Sequence, residues 1–130
     1  MKFPAACPEI PVGDLAPALA YYRDCLGFTI DRSDEELGLA GLSQGASRLF
    51  MGAAHYRVHL ETGGRPIVIW LNLSSRAEVD ELYARWTAAG AKLDLPPAAK
   101  PYKLYEFLAF DLDGNILPVF YDFASEERAG

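Results

Sequence analysis

Few side chains in this sequence could do chemistry, and their spacing limits what that chemistry would be. His55 and His59 stand four residues apart, which on a helix would put two imidazoles on one face and begin a metal site. Gly52, Gly63, Gly64 and Pro66 argue against a helix there, and no third ligand stands nearby, so solvated loop histidines are the simpler reading. Cys25 precedes Leu26-Gly27 within an amphipathic pattern and has no adjacent His to activate it. Ser74 and Ser75 fit helix capping better than a nucleophile elbow. Gly63-Gly64 lacks the Lys and helix that complete a phosphate loop. Catalytic residues are not expected from these motifs.

The elements that position the remaining residues follow from periodicity. Ala5 to Val12 reads as a strand interrupted by Pro8 and Pro11, hence an edge strand. Asp14 is a natural N-cap, and Leu15, Leu19, Tyr22 and Leu26 form a helical stripe that Gly27 ends. Strands are expected from Phe28 to Ser33, around Leu37 to Leu42, and from Ser47 to Met51, with a turn at Gln44-Gly45-Ala46. Gly52 to Pro66 is the least regular stretch. Ile67 to Leu73 is rich in strand formers. Ser75 and Glu78 have the spacing of a capping box, ahead of the stripe Val79, Leu82, Tyr83 and Trp86 that Gly90 ends. A short strand from Ala91 to Leu95 and a loop from Pro96 to Lys103 follow. Two apolar runs then flank Asp111-Leu112-Asp113-Gly114-Asn115, a strong hairpin signal. The tail from Ala124 is polar and expected to fray.

The 130 residues suit one domain, or two small modules sharing a core. The net charge of −6 argues against a nucleic-acid partner, whose phosphates demand a basic face. No apolar run has the length of a membrane span. Met1-Lys2-Phe3-Pro4 leads into structure without the apolar stretch of a signal peptide, and Cys7 and Cys25 lie far apart. Reduced thiols and a cytoplasmic location are expected.

The closing hairpin resembles that of the vicinal oxygen chelate superfamily: glyoxalase I, extradiol dioxygenases, and fosfomycin and bleomycin resistance proteins. The family typically reads Asp-Pro-Asp-Gly-Asn, two apolar residues and Glu; here Leu112 replaces the Pro and Pro118 the Glu. Val12-Gly13-Asp14-Leu15, leading into a helix that ends Tyr21-Tyr22-Arg23-Asp24-Cys25-Leu26-Gly27-Phe28, is a second signature. The resemblance covers nearly the whole chain. It implies an α+β fold of two βαβββ modules, about residues 5–52 and 67–123 with a linker at 53–66, forming a curved mixed sheet around a concave cleft.

Metal-dependent members take one His, Gln or Glu ligand from each of four strands. The matching positions here are Cys7, Phe50, Val68 and Pro118. Three carry no donor, and a lone thiolate cannot hold a cation in an open site, so neither metal nor cofactor is expected. Cys7 reads better as a small apolar filler. Residues two positions away share the expected cleft face: Glu9, Arg48, Trp70, Asn72, Ile116 and Phe120. Pairing across the hairpin adds Leu108 opposite Pro118, then Glu106 and Phe110. The ligand-binding set is therefore Trp70, Phe50, Glu9, Arg48, Asn72, Glu106, Leu108 and Phe120. Trp86 is assigned to the core, while Trp70 is either a stacking platform or core. Glu9 and Glu106 would recognise a cation or pair with Arg48 or Lys103.

The resemblance implies a metal-free protein of the bleomycin resistance type, sequestering a drug or natural product in a cleft at a homodimer interface. The alternative is a lyase, isomerase or dioxygenase of the same superfamily. It would use a metal, or acid–base chemistry through Glu9 or Glu106. A self-resistance or carrier protein of natural-product biosynthesis would share the binding physics.

Overall fold

The structure, a computed structural model, describes residues 1–55 and 66–129. The chain divides into two compact units, Met1–Ile67 and Val68–Gly130. The architecture is α+β, with one mixed sheet in each unit.

In the first unit, β1 (Glu9–Val12), α1 (Leu15–Asp24), β2 (Thr29–Asp34), β3 (Leu39–Gln44) and β4 (Ser47–Ala53) follow in order. The sheet runs β1-β4-β3-β2, with β1 parallel to β4 and the rest antiparallel. The proline-bearing β1 is an edge, where a missing N–H costs least. Helix α1 buries Leu15, Ala18, Leu19 and Tyr22. Against them the sheet buries Ile10, Val12, Ala40, Leu42, Leu49 and Met51. Each such side chain contributes roughly 1.5–3 kcal/mol by leaving water. Asp14 occupies the N-cap but makes no side-chain cap bond. The helix caps at Cys25, and Gly27, with φ +79°, turns the chain two residues later.

In the second unit, β5 (Leu71–Asn72), α2 (Arg76–Ala88), β6 (Lys92–Leu93), β7 (Ala98–Ala99), β8 (Leu104–Phe110), β9 (Ile116–Asp122) and α3 (Ala124–Ala129) follow. The sheet runs β5-β9-β8-β6, with β7 also pairing β8. Its order repeats that of the first unit strand for strand. Helix α2 packs on β8 and β9 through Val79, Tyr83 and Trp86, with the two aromatics edge-on to Phe107 at 5.2 and 5.9 Å. The Ser75 hydroxyl accepts from the Glu78 amide at 3.1 Å, and the Glu78 carboxylate accepts from the Ser74 amide at 2.7 Å. The reciprocal cap thus reaches one residue further back than the usual box.

Three expectations give way to the structure. The stretch Ile67 to Leu73 pairs only at Leu71–Asn72 and at an isolated bridge, Val68 with Ile116. Pro118 of β9 lies between those two points of contact and has no N–H to donate, so the ladder is broken there. The stretch Pro96 to Lys103 is not simply a loop, because Ala98 and Ala99 pair with Glu106 and Tyr105. The tail forms α3, capped by the Asp122 carboxylate, which accepts from the Ala124 amide at 3.0 Å. Arg76 ties it down, with its guanidinium 4.5 Å from the Phe123 ring centroid and 3.4 Å from the Glu126 carboxylate.

Tyr56, His59, Gly63 and Gly64 of the expected irregular stretch lie outside the described residues. Among the described residues, no helix is long and apolar enough to cross a membrane.

Candidate functional site

The C-terminal hairpin sets the geometry of the second unit. Asp111 and Asn115 are both buried. One Asp111 carboxylate oxygen accepts from the amides of Asp113 and Asn115, both at 2.9 Å, and the other accepts from Asn115 Nδ2 at 2.7 Å. Gly114, at φ +81°, makes the turn that this network needs. The signature residues of the turn are therefore structural: they close it and fix the pairing of the strands on either side.

That pairing places Phe110 opposite Ile116, Leu108 opposite Pro118 and Glu106 opposite Phe120. On the far side of β9, Asn72 pairs with Phe120, and on the far side of β8, Ala98 pairs with Glu106. Side chains alternate along each strand, so Tyr105, Phe107 and Ala109 turn toward α2 while Glu106, Leu108 and Phe110 take the other face. This second face is open. Trp70 is 53% exposed and Val68 50% exposed, with the Trp70 ring edge-on to Phe120 at 5.6 Å. Trp86, by contrast, is 3% exposed, inside the core beneath α2.

Glu106 departs from its neighbours. It is 5% exposed, while Leu104, Leu108 and Phe110 on the same face of β8 are half-buried. Its Oε1 accepts a hydrogen bond from the Tyr102 hydroxyl. Its Oε2 is buried and has no hydrogen-bond partner among the described residues. The hydrogen bond to this carboxylate raises the pKa of the Tyr102 phenol, because losing the proton would lose the bond and oppose two negative charges. Within its own unit the sequence offered Lys103 as a partner of Glu106; the structure supplies Tyr102. The turn from β7 to β8, closed by Lys103 N to Lys100 O at 3.0 Å with Lys103 at φ +70°, presents that tyrosine. Nothing in the loop's own sequence marks it, since the bond depends on β7 folding back along β8.

In the first unit, Glu9 pairs with Phe50, Phe50 with Gly41, and Gly41 with Arg32. A Cβ on Gly41 would lie 3.2 Å from Arg32 Cγ and 3.5 Å from Phe50 Cε1, so the arginine stem and the ring occupy that space. Arg48 is exposed and pairs with Ser43. Cys7 is exposed, so it does not act as core filler. His55 lies against Gly38, where a Cβ would stand 2.6 Å from its Nε2.

The four positions that the resemblance sets against the family's metal ligands carry side chains that do not suit a divalent cation. Phe50 and Val68 offer only hydrocarbon, Pro118 has no side-chain donor, and Cys7 is a single thiol. Among the described residues, no cluster of three His, Cys, Asp or Glu side chains could hold a metal.

The family model described as Glyoxalase/Bleomycin resistance protein/Dioxygenase superfamily matches residues 5–119. Among curated proteins, none matches. Among solved structures, the chain is similar to a glyoxalase/bleomycin resistance protein/dioxygenase from Nocardioides, with a TM-score of 0.76, 23% identity, and coverage of 93% of this chain and 85% of that one. It is similar also to a lactoylglutathione lyase from Agrobacterium tumefaciens, with a TM-score of 0.75 and 20% identity over 90% of this chain and 92% of that one. A third similar structure is the bleomycin-binding protein of bleomycin-producing Streptomyces verticillus, complexed with copper(II)-bleomycin. There the TM-score is 0.70 at 23% identity, over 92% of this chain and 96% of that one. At such identities the likeness carries the fold, while ligand and chemistry rest on the residues themselves.

Proposed function

The chain belongs to the Glyoxalase/Bleomycin resistance protein/Dioxygenase superfamily, and on that premise we propose that it binds a small molecule, a drug or natural product, without a metal. The carrying observation is Trp70, half exposed and edge-on to Phe120 on the open face of its sheet. A large aromatic left in water just ahead of β5 is a stacking surface, and its neighbours Val68, Leu108 and Phe120 extend the apolar floor. Asn72 and Glu106 supply polar groups at its margin. In the first unit, Glu9, Arg48 and Phe50 are the residues proposed for the same role. The similar structure complexed with copper(II)-bleomycin supports a binding role for the fold.

An exposed apolar face of this kind also favours a partner, and a homodimer is the proposed assembly. Sedimentation as a monomer at micromolar concentration would count against it. The free thiols Cys7 and Cys25 suit a reducing compartment, and the cytoplasm is the proposed location.

Trp fluorescence titration against a panel of planar drugs and natural products is the test, with elemental analysis of the same sample. A ligand should bind saturably to protein that carries no stoichiometric metal, and Trp70→Ala should weaken it by about 1–3 kcal/mol. One equivalent of transition metal, or unchanged affinity in Trp70→Ala, defeats the proposal.

A further inference from the structure

Glu106 is the described side chain whose burial leaves an acceptor unmet, and that acceptor specifies its partner. One oxygen of the carboxylate takes the Tyr102 hydroxyl, while Oε2, buried within a residue only 5% exposed, takes nothing among the described residues. Buried polar atoms are ordinarily paired, because withholding one from water costs the fold stability unless a bond replaces the lost hydration. An ionised carboxylate is an acceptor only, so the missing partner is a donor, and a cationic N–H is the strongest of these.

The surroundings narrow the partner further. Phe120 is opposite Glu106 in the ladder, and Trp70 stands edge-on to Phe120, so an acid and an aromatic floor share adjacent strands. Tyr102 belongs to the short turn between β7 and β8 and is itself 56% exposed. The buried acid is therefore hydrogen-bonded to a surface side chain. Lys103, the cation that the sequence offered from the same unit, does not satisfy Oε2.

We propose that Glu106 anchors a cationic nitrogen of a flat aromatic ligand through Oε2, with Tyr102 holding Oε1. This deepens the small-molecule reading above and rests on it. The ligand class it selects is an aromatic ammonium, amidinium or protonated heterocycle rather than a neutral or acidic aromatic.

The test uses two probes of one shape: 9-aminoacridine, a cation near neutral pH, and acridine, which is neutral there. The full-length protein should bind the cation at least about tenfold more tightly than acridine, the scale of a charge-assisted hydrogen bond. Glu106→Gln should abolish that preference, leaving the two probes within about twofold of each other. Equal affinity of the wild-type protein for both probes, or an undiminished preference in Glu106→Gln, overturns the anchor and leaves the binding reading intact. Binding of neither probe to the wild type overturns the anchor, and the panel titration then decides the broader reading separately. Should Glu106→Gln fail to fold, the carboxyl carbon of Glu106 in 13C-labelled wild type decides: its resonance must move on adding 9-aminoacridine and stay on adding acridine. The absence of that selective shift overturns the proposal.

Discussion

In the first sheet, the position reached from Glu9 through Phe50 is Gly41; in the second, the position reached from Asn72 through Phe120 by the same strand order is Glu106. Gly41 has no side chain, and the space is taken by the stem of Arg32 and the ring of Phe50. Glu106 fills the equivalent place with a carboxylate that is buried and only half satisfied. The two hairpins differ in the same way. The first turns on Gly45-Ala46 between Gln44 and Ser47, while the second is closed by the buried Asp111–Asn115 network. A repeated topology thus fixes which strands meet and leaves their side chains free to diverge. The first unit resolves this row by packing, and the second keeps polar groups where packing alone would exclude them. Unsatisfied burial in a marginally stable fold calls for an explanation, and a ligand supplies one.

Substitutions in both units would break or sharpen this contrast. The largest effect is expected from Trp86→Ala, which empties the core beneath α2 and should cost roughly 3–5 kcal/mol. Trp70→Ala, losing a half-exposed ring and one edge contact, should cost only about 1 kcal/mol. Denaturant unfolding of both variants tests the pair, and equal losses would make Trp70 core and close the open face.

Asp111→Ala comes next. It removes the acceptor of three hydrogen bonds, two of them from buried Asn115, for about 2–3 kcal/mol. The same unfolding measurement checks it. A loss below about 1 kcal/mol would mean that the turn closes without its network.

Gly45→Ala, in the simpler hairpin, should cost about 1 kcal/mol. The position has φ +56°, and nothing lies within 4 Å of an added Cβ, so the penalty is one of backbone alone. Gly45→Asn should recover part of it, since asparagine tolerates that conformation. Failure of the rescue would point to a steric cause instead. Gly41→Ala should have the smallest effect, a few tenths of a kcal/mol, because the atom that it meets is the movable stem of an exposed arginine. A double-mutant cycle with Arg32→Ala should show coupling, and strict additivity would remove Arg32 from that space.

Much of the architecture was legible in the sequence because its signals are local. Helical spacing from Leu15 to Leu26 and from Val79 to Trp86 marked α1 and α2, and the Asp111 to Asn115 turn marked the closing hairpin. With the turn located, counting outward placed Leu108 opposite Pro118, the pairing observed. Alternation along those strands then assigned faces. Only the tertiary structure decided which face stays open, because Trp70 and Trp86 are the same residue type and differ only in what other elements cover them. It also decided that Pro118 would interrupt β5, a strand distant in sequence, since a missing donor matters only to the neighbour that needs it. The capped tail helix held by Arg76 and the bond from Tyr102 to Glu106 are of the same kind. Each depends on where the chain folds back, which no local pattern of residues specifies.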